Sequence, residues 1–169
     1  MMNTIAITGH RPEQLVNVGW IEETLENIFQ ELKSDLLYQG MAAGVDLMSA
    51  KIAGKLKIPF IATRPWAGHP PRINDKEISD WALKNAKEII NVSPAQDYQG
   101  PFVYHMRNEF MVNHADILVA VWNGNKKGGT AACVRYARKQ QKLIIQLNPI
   151  TMEITRLTVL KVLEAPILF

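Results

Sequence analysis

The segment Asp116–Trp122 (DILVAVW) constrains the fold more than any other part of the chain. Its near-continuous hydrophobicity suits a strand covered on both faces, at the centre of a parallel sheet. A loop rich in glycine and asparagine follows (Asn123–Thr130, NGNKKGGT), and then a helical pattern. The same alternation runs along the chain. Thr4–Thr8, Leu36–Gln39, Ile58–Thr63, Glu88–Val92 and Lys142–Leu147 read as five further strands. Between them, apolar residues recur at helical spacing: Ile21, Leu25, Ile28, Phe29 and Leu32, then Val45, Met48, Ile52 and Leu56. Ile78, Trp81, Ala82 and Asn85 suggest another helix, as do Phe102, Met106, Phe110 and Met111. A last helix is expected through Ile154, Leu157, Leu160 and Leu163, and a loop over Pro65–Pro71 with its three prolines. Strands interleaved with helices imply βαβ units. The expected fold is α/β: a single-domain, Rossmann-like, doubly wound and mostly parallel sheet with helices on both faces, spanning residues 1–169.

Composition narrows the function classes. One cysteine, Cys133, excludes an internal disulfide framework. The start of the chain lacks the pattern of a secretory signal, and no apolar run approaches the ~20 residues that span a bilayer. A cytoplasmic protein with no membrane partner is expected. The formal charge is +3, which makes nucleic acid an unfavoured partner. A local basic region does occur at Lys126, Lys127, Arg135, Arg138, Lys139 and Lys142, and reads either as a solvated helix face or as an attractor of anions. His69, His105 and His114 show no metal-ligand spacing with Cys133 or the carboxylates, so neither a metal nor a resident cofactor is expected.

In doubly wound sheets, ligands bind beyond the carboxyl ends of the strands. That directs attention to the loops after them: Gly9–Pro12, Gly40–Asp46, Thr63–Arg72 and Asn123–Thr130. In the last, Gly124, Gly128 and Gly129 let backbone approach an anion, and the helix N-terminus that follows offers unpaired N–H groups. Thr130 is placed to cap that helix or to donate to a phosphate. Trp122 ends the preceding strand. In Gly40-Met-Ala-Ala-Gly-Val-Asp46, Gly40 and Gly44 permit a tight turn, and Asp46 serves either as a helix-start carboxylate or as an acceptor for a ribose hydroxyl. Thr8-Gly9-His10-Arg11-Pro12 closes the first strand. Arg11 suits bidentate contact with phosphate, and His10 suits hydrogen-bond donation or general acid chemistry. Arg107 and Asn108 belong to a helix whose inward face periodicity does not settle. Cys133 reads as packing rather than as a nucleophile.

Taken in order, TGHRP (8–12), GMAAGVD (40–46), PFIA (59–62), RNEFMVNHAD (107–116) and AVWNGNKKGGTAACVRYA (120–137) resemble the SLOG superfamily of Rossmann-like nucleotide-binding domains, and within it the YpsA-like group. The superfamily also holds LOG-type phosphoribohydrolases, the DNA-processing protein A domain and nucleotide-signal sensors. The resemblance implies a ligand pocket built from the glycine loops and Arg107. The LOG hydrolases carry a glutamate three residues after the threonine of the glycine motif, where this chain has Cys133. YpsA-like motifs tend to have Asp where this chain has Asn113, and Asn where it has Ala132.

Three functions stand against one another at this stage. The leading one is binding of a phosphate-bearing nucleotide derivative, ADP-ribose-like or a cyclic nucleotide signal, by a sensor or sequestering protein. The second is a phosphoribohydrolase-type enzyme cleaving an N-glycosidic bond, with Arg107 and Asp46 as catalytic candidates. The third is a nucleic-acid or protein interaction module. A homodimer or higher homo-oligomer is expected, with Met106, Met111 and the terminal helix supplying an apolar interface.

Overall fold

The computed structural model describes residues 3–157. Seven strands form one sheet: β1 (Thr4–Gly9), β2 (Leu36–Gln39), β3 (Phe60–Trp66), β4 (Glu88–Ser93), β5 (Ile117–Val121), β6 (Leu143–Asn148) and β7 (Glu153–Leu157). Their spatial order is β4-β3-β2-β1-β5-β6-β7. Every pairing is parallel except that of β6 with β7. The helices are α1 (Val18–Glu31), α2 (Val45–Leu56), α3 (Lys76–Asn85), α4 (Phe102–His114) and α5 (Gly129–Lys139). This is the expected Rossmann-like, doubly wound α/β architecture.

The central strands alternate their side chains between two cores, as the period of two requires. Ile5, Ile7, Val119 and Val121 face α1 to α3, where they pack with Leu25, Phe29, Ile52 and Ala82. Ala6, Leu118 and Ala120 face α4 and α5, where they meet Met111, Val112, Ala131 and Val134. β5 is buried at all five positions, which is why its sequence carries no polar alternation.

The winding direction reverses between β1 and β5. β1 leads outward to β2, β3 and β4, whereas β5 leads the other way to β6. The loops that leave β1 and β5 therefore diverge to opposite faces and open a crevice between them, the topological position at which such sheets bind ligands.

Three expectations need correction. The stretch from Ile154 to Leu157 is strand β7, not helix; Leu160 and Leu163 lie outside the described residues. An Asn-Pro turn makes the difference. Asn148 Oδ1 accepts from the amides of Ile150 and Thr151 at 3.0 and 3.3 Å, and Met152 N–H donates to Asn148 O at 2.8 Å. Such local bonds favour a hairpin. Second, β3 continues through Pro65 to Trp66, with Trp66 in register with Ser93. Third, the stripe Phe102–Met106 points outward, both residues being exposed, while α4 buries Val103, Arg107, Asn108, Met111 and Val112. Met111 lies in the core and is unavailable to an interface. No helix of the described residues is long and apolar enough to cross a membrane.

Candidate functional site

The crevice at the β1/β5 reversal is a cleft of about 490 Å³. Ten of the sequence-predicted residues line it: Thr8, Gly9, His10, Arg11, Asp46, Arg107, Asn108, Gly128, Gly129 and Thr130. Gly40, Gly44, Trp122 and Gly124 do not; Gly40, Gly44 and Trp122 pack behind its walls.

The wall nearest β5 is the N-terminus of α5. Gly128 is its N-cap at φ +99°, and no side chain caps the helix. Thr130 lies inside the first turn and does not cap, so the first N–H groups lack a side-chain acceptor. A helix end of this kind carries partial positive charge and unpaired donors. A Cβ built at Gly128 or Gly129 would meet nothing within 4 Å. The backbone there faces open space. The loop leading to it is pinned by asparagine turns, Asn123 Oδ1 accepting from Asn125 N–H at 2.9 Å and Asn125 Oδ1 from Lys127 N–H at 3.1 Å. Trp122 Nε1 donates to Asn125 O at 2.8 Å. Trp122 thus supports the loop from behind.

The opposite wall comes from β2, α2 and α4. Arg107 is buried, and its Nη1 donates to Gly40 O at 2.6 Å while its Nε donates to the Asn108 side chain at 2.9 Å. A guanidinium has five N–H donors, so donors remain for the cleft that Arg107 lines. Asp46, also buried, accepts from Ala42 N–H at 3.2 Å, which orders the turn before α2. Gly40 lies between the two: a Cβ there would be 2.7 Å from Arg107 Cδ and 2.8 Å from Asp46 Oδ2. Gly44, at φ +92°, lies so close to the first loop that a Cβ would meet His10 O at 2.7 Å. The glycines of GMAAGVD are thus present for close packing of the cleft's own parts.

The electrostatics follow from burial. Desolvation pushes the Asp46 carboxyl above the ordinary carboxylate range, opposed by the Arg107 charge and by the amides of Ala42 and Gly40. Desolvation also lowers Arg107, with Asp46 acting in the other direction; an arginine stays cationic regardless. His10 is lowered mainly by burial. Its Nε2 accepts from Asn123 N–H at 3.0 Å, which leaves the ring proton on Nδ1. His10 therefore locks the first loop to the loop after β5, and its Nε2 is not free to donate. Burial pushes the Cys133 thiol up to about 12, against the pull of the Thr8 hydroxyl and Arg107. Cys133 is a protonated core thiol.

Sequence reading missed Tyr104, which lines the cleft one turn before Arg107 and Asn108. The guanidinium carbons of Arg11 and Arg107 lie 5.9 and 5.8 Å from its ring centroid, within cation–π range. The i, i+3, i+4 relation of Tyr104 to Arg107 and Asn108 was the available signal. Arg135, nearly two turns into α5, also lines the cleft, and its Nη1 reaches back to donate to Lys126 O in the glycine loop at 2.9 Å. Among the described residues, no group of three or more His, Cys, Asp or Glu is placed to hold a metal ion.

Comparison with known proteins agrees with this architecture. The YpsA model, described as the YspA SLOG family, matches residues 5–154. UPF0398 proteins of Staphylococcus aureus strains JH9 and JH1 are 24% identical over 141 residues, covering 73% of this chain and 74% of theirs. Among solved structures, DNA processing protein A of Streptococcus pneumoniae superposes with a TM-score of 0.70 at 14% identity, over 87% of this chain and 50% of that one. This chain thus spans about half the length of that relative. The molybdenum cofactor carrier protein of Chlamydomonas reinhardtii superposes with a TM-score of 0.57 at 20% identity, over 86% of this chain and 76% of that one. A match over residues 5–154 leaves only Thr4 of β1 and the last three residues of β7 outside the family pattern, and the chain belongs to the YpsA family of SLOG proteins.

Proposed function

We propose that the cleft binds a phosphate-bearing nucleotide derivative, and that the protein acts as a sensor or sequestering protein for it. One observation carries this reading. An uncapped helix N-terminus at Gly128–Thr130 and three cationic side chains, Arg11, Arg107 and Arg135, converge on one cleft. That combination suits a phosphate through backbone N–H donors, helix dipole and guanidinium forks. Asp46 stands across the cleft in the first turn of α2, where an acceptor would meet a sugar hydroxyl. Two further facts support small-molecule binding. The cleft volume falls within the ~300–1,000 Å³ typical of ligand pockets, and the structural relatives include a molybdenum cofactor carrier. Titration calorimetry against nucleoside monophosphates, cyclic nucleotides and ADP-ribose tests the proposal. Saturable binding of at least one is expected. No heat from any of them, with the protein folded, would refute it.

A hydrolase is the second reading, favoured by one feature: Asp46 is a buried carboxyl held above its ordinary range beside the cleft, as a general acid requires. Against it, the position three residues after Thr130 holds a buried thiol rather than a carboxylate. Release of free base from the bound nucleotide, followed by chromatography, separates the two readings. The binding reading predicts none above the uncatalysed rate.

A further inference from the structure

A second compartment adjoins the cleft and is unused by the phosphate reading. It measures about 200 Å³ and lies between the end of β3, the Met41–Ala43 turn and the Pro70–Arg72 loop. Arg11, Ala42 and Tyr104 line both spaces, so the two lie side by side. The lining of the smaller space is mostly apolar and aromatic. Trp66, His69 and Tyr104 meet one another nearly at right angles: 79° between Trp66 and His69, 73° between Trp66 and Tyr104, and 82° between His69 and Tyr104. Their centroids lie 4.7, 5.9 and 6.4 Å apart. Three mutually perpendicular rings make the corner of a box. A flat aromatic guest entering such a corner stacks on one ring while its own edges point at the faces of the others, which are the two favoured aromatic geometries.

We propose that this compartment takes the planar heterocycle of the same ligand, a nucleobase or a fused ring of similar shape, and packs it in the corner formed by Trp66, His69 and Tyr104. The proposal rests on the phosphate reading of the cleft. Topology supplies the spacing. The strand order β3-β2-β1-β5 puts the end of β3 three strand spacings from the glycine loop after β5, about 14 Å at ~4.8 Å per strand. A nucleotide lying along the sheet edge would run from phosphate at Gly128–Thr130, past its sugar at Asp46, to its ring beside Trp66. Arg11 stands over the face of Tyr104 at the junction. The Arg72–Glu13 ion pair ties the outer loop to the 3-10 turn Pro12–Gln14, which holds the mouth of the box in place. The extension of β3 through Arg64 and Pro65 brings Trp66 to the lining of the compartment.

The test compares AMP with ribose 5-phosphate, the same phosphate and sugar without the ring, by calorimetry on the full chain and on His69→Ala and Trp66→Leu. The wild type is expected to bind AMP at least tenfold more tightly than ribose 5-phosphate. Each variant should lose most of that ratio while its affinity for ribose 5-phosphate changes less than twofold. If Trp66→Leu fails to fold, His69→Ala, whose side chain is only partly buried, carries the comparison. Equal affinities in the wild type would overturn the ring site and leave the phosphate site standing. A ratio preserved in the variants would place the ring elsewhere and also overturn it. If neither compound binds the folded wild type, the ring site as stated falls, and the phosphate reading falls with it when the wider nucleotide panel also gives no heat.

Discussion

Arg107 is the residue on which the cleft turns. It is buried, charged and tied to the protein through Gly40 O and Asn108. A charge-assisted hydrogen bond contributes about 1.5–3 kcal/mol, roughly ten- to hundredfold in affinity. Arg107→Lys keeps the charge and loses the fork, so nucleotide affinity in calorimetry should fall about tenfold. Arg107→Ala should cost about a hundredfold, and some stability as well, because it leaves the carbonyl of Gly40 without its donor. His69 supports a pH prediction. Burial, with the charges of Arg107, Arg64 and Arg11, lowers it from 6.5 to about 4. The unfolded chain therefore takes up the proton first as pH falls. The stability due to neutral His69 is full above pH 6.5 and is lost between there and about pH 4. Thermal melts of His69→Gln should show a shallower decline than the wild type across that window, and parallel declines would contradict the burial of the ring.

At the scale of elements, two glycines make opposite predictions. Gly40→Ala pushes a methyl to within 2.8 Å of Arg107 and Asp46, so these buried side chains must shift. It should destabilise the protein by about 1–3 kcal/mol, as overpacking does, and weaken binding. Gly129→Ala meets nothing within 4 Å and has no positive φ. Its melting temperature should match the wild type while nucleotide affinity drops about tenfold, because the methyl occupies space the ligand needs. Six of the seven strands were legible in the sequence because short apolar runs, most of them rich in Ile and Val, alternate with helical spacing. The face of α4 was not. Its buried stripe contains Arg107 and Asn108, so the site itself breaks the apolar periodicity, and the exposed Phe102–Met106 pair imitates a core face. β7 was missed because Ile154 and Leu157 also fit a helical spacing, and the Asn148–Pro149 turn had to decide. The cleft was legible where residues sit at strand ends, as with Thr8–Arg11 and Gly128–Thr130. Tyr104, Trp66 and His69 were not, since their meeting depends on how α4 and the Pro70–Arg72 loop cross the sheet edge.

Over the whole molecule, the net charge is only +3, and three of the arginines line the cleft. The DNA processing protein A of Helicobacter pylori, which binds single-stranded DNA, shares the fold at a TM-score of 0.67 and 20% identity. Fold alone does not transmit that property. Fluorescence anisotropy with a labelled single-stranded oligonucleotide should show no binding at physiological salt, and a steep gain at low salt would argue for a DNA interface instead. The central claim concerns where a phosphate sits. It is tested most directly by the backbone amide resonances of Gly128, Gly129 and Thr130 during titration with AMP and, separately, with inorganic phosphate. All three signals should shift together and saturate with AMP, and move in the same sense with phosphate. Unmoved amides at these positions in a folded protein, with AMP shifts elsewhere or nowhere, would contradict it.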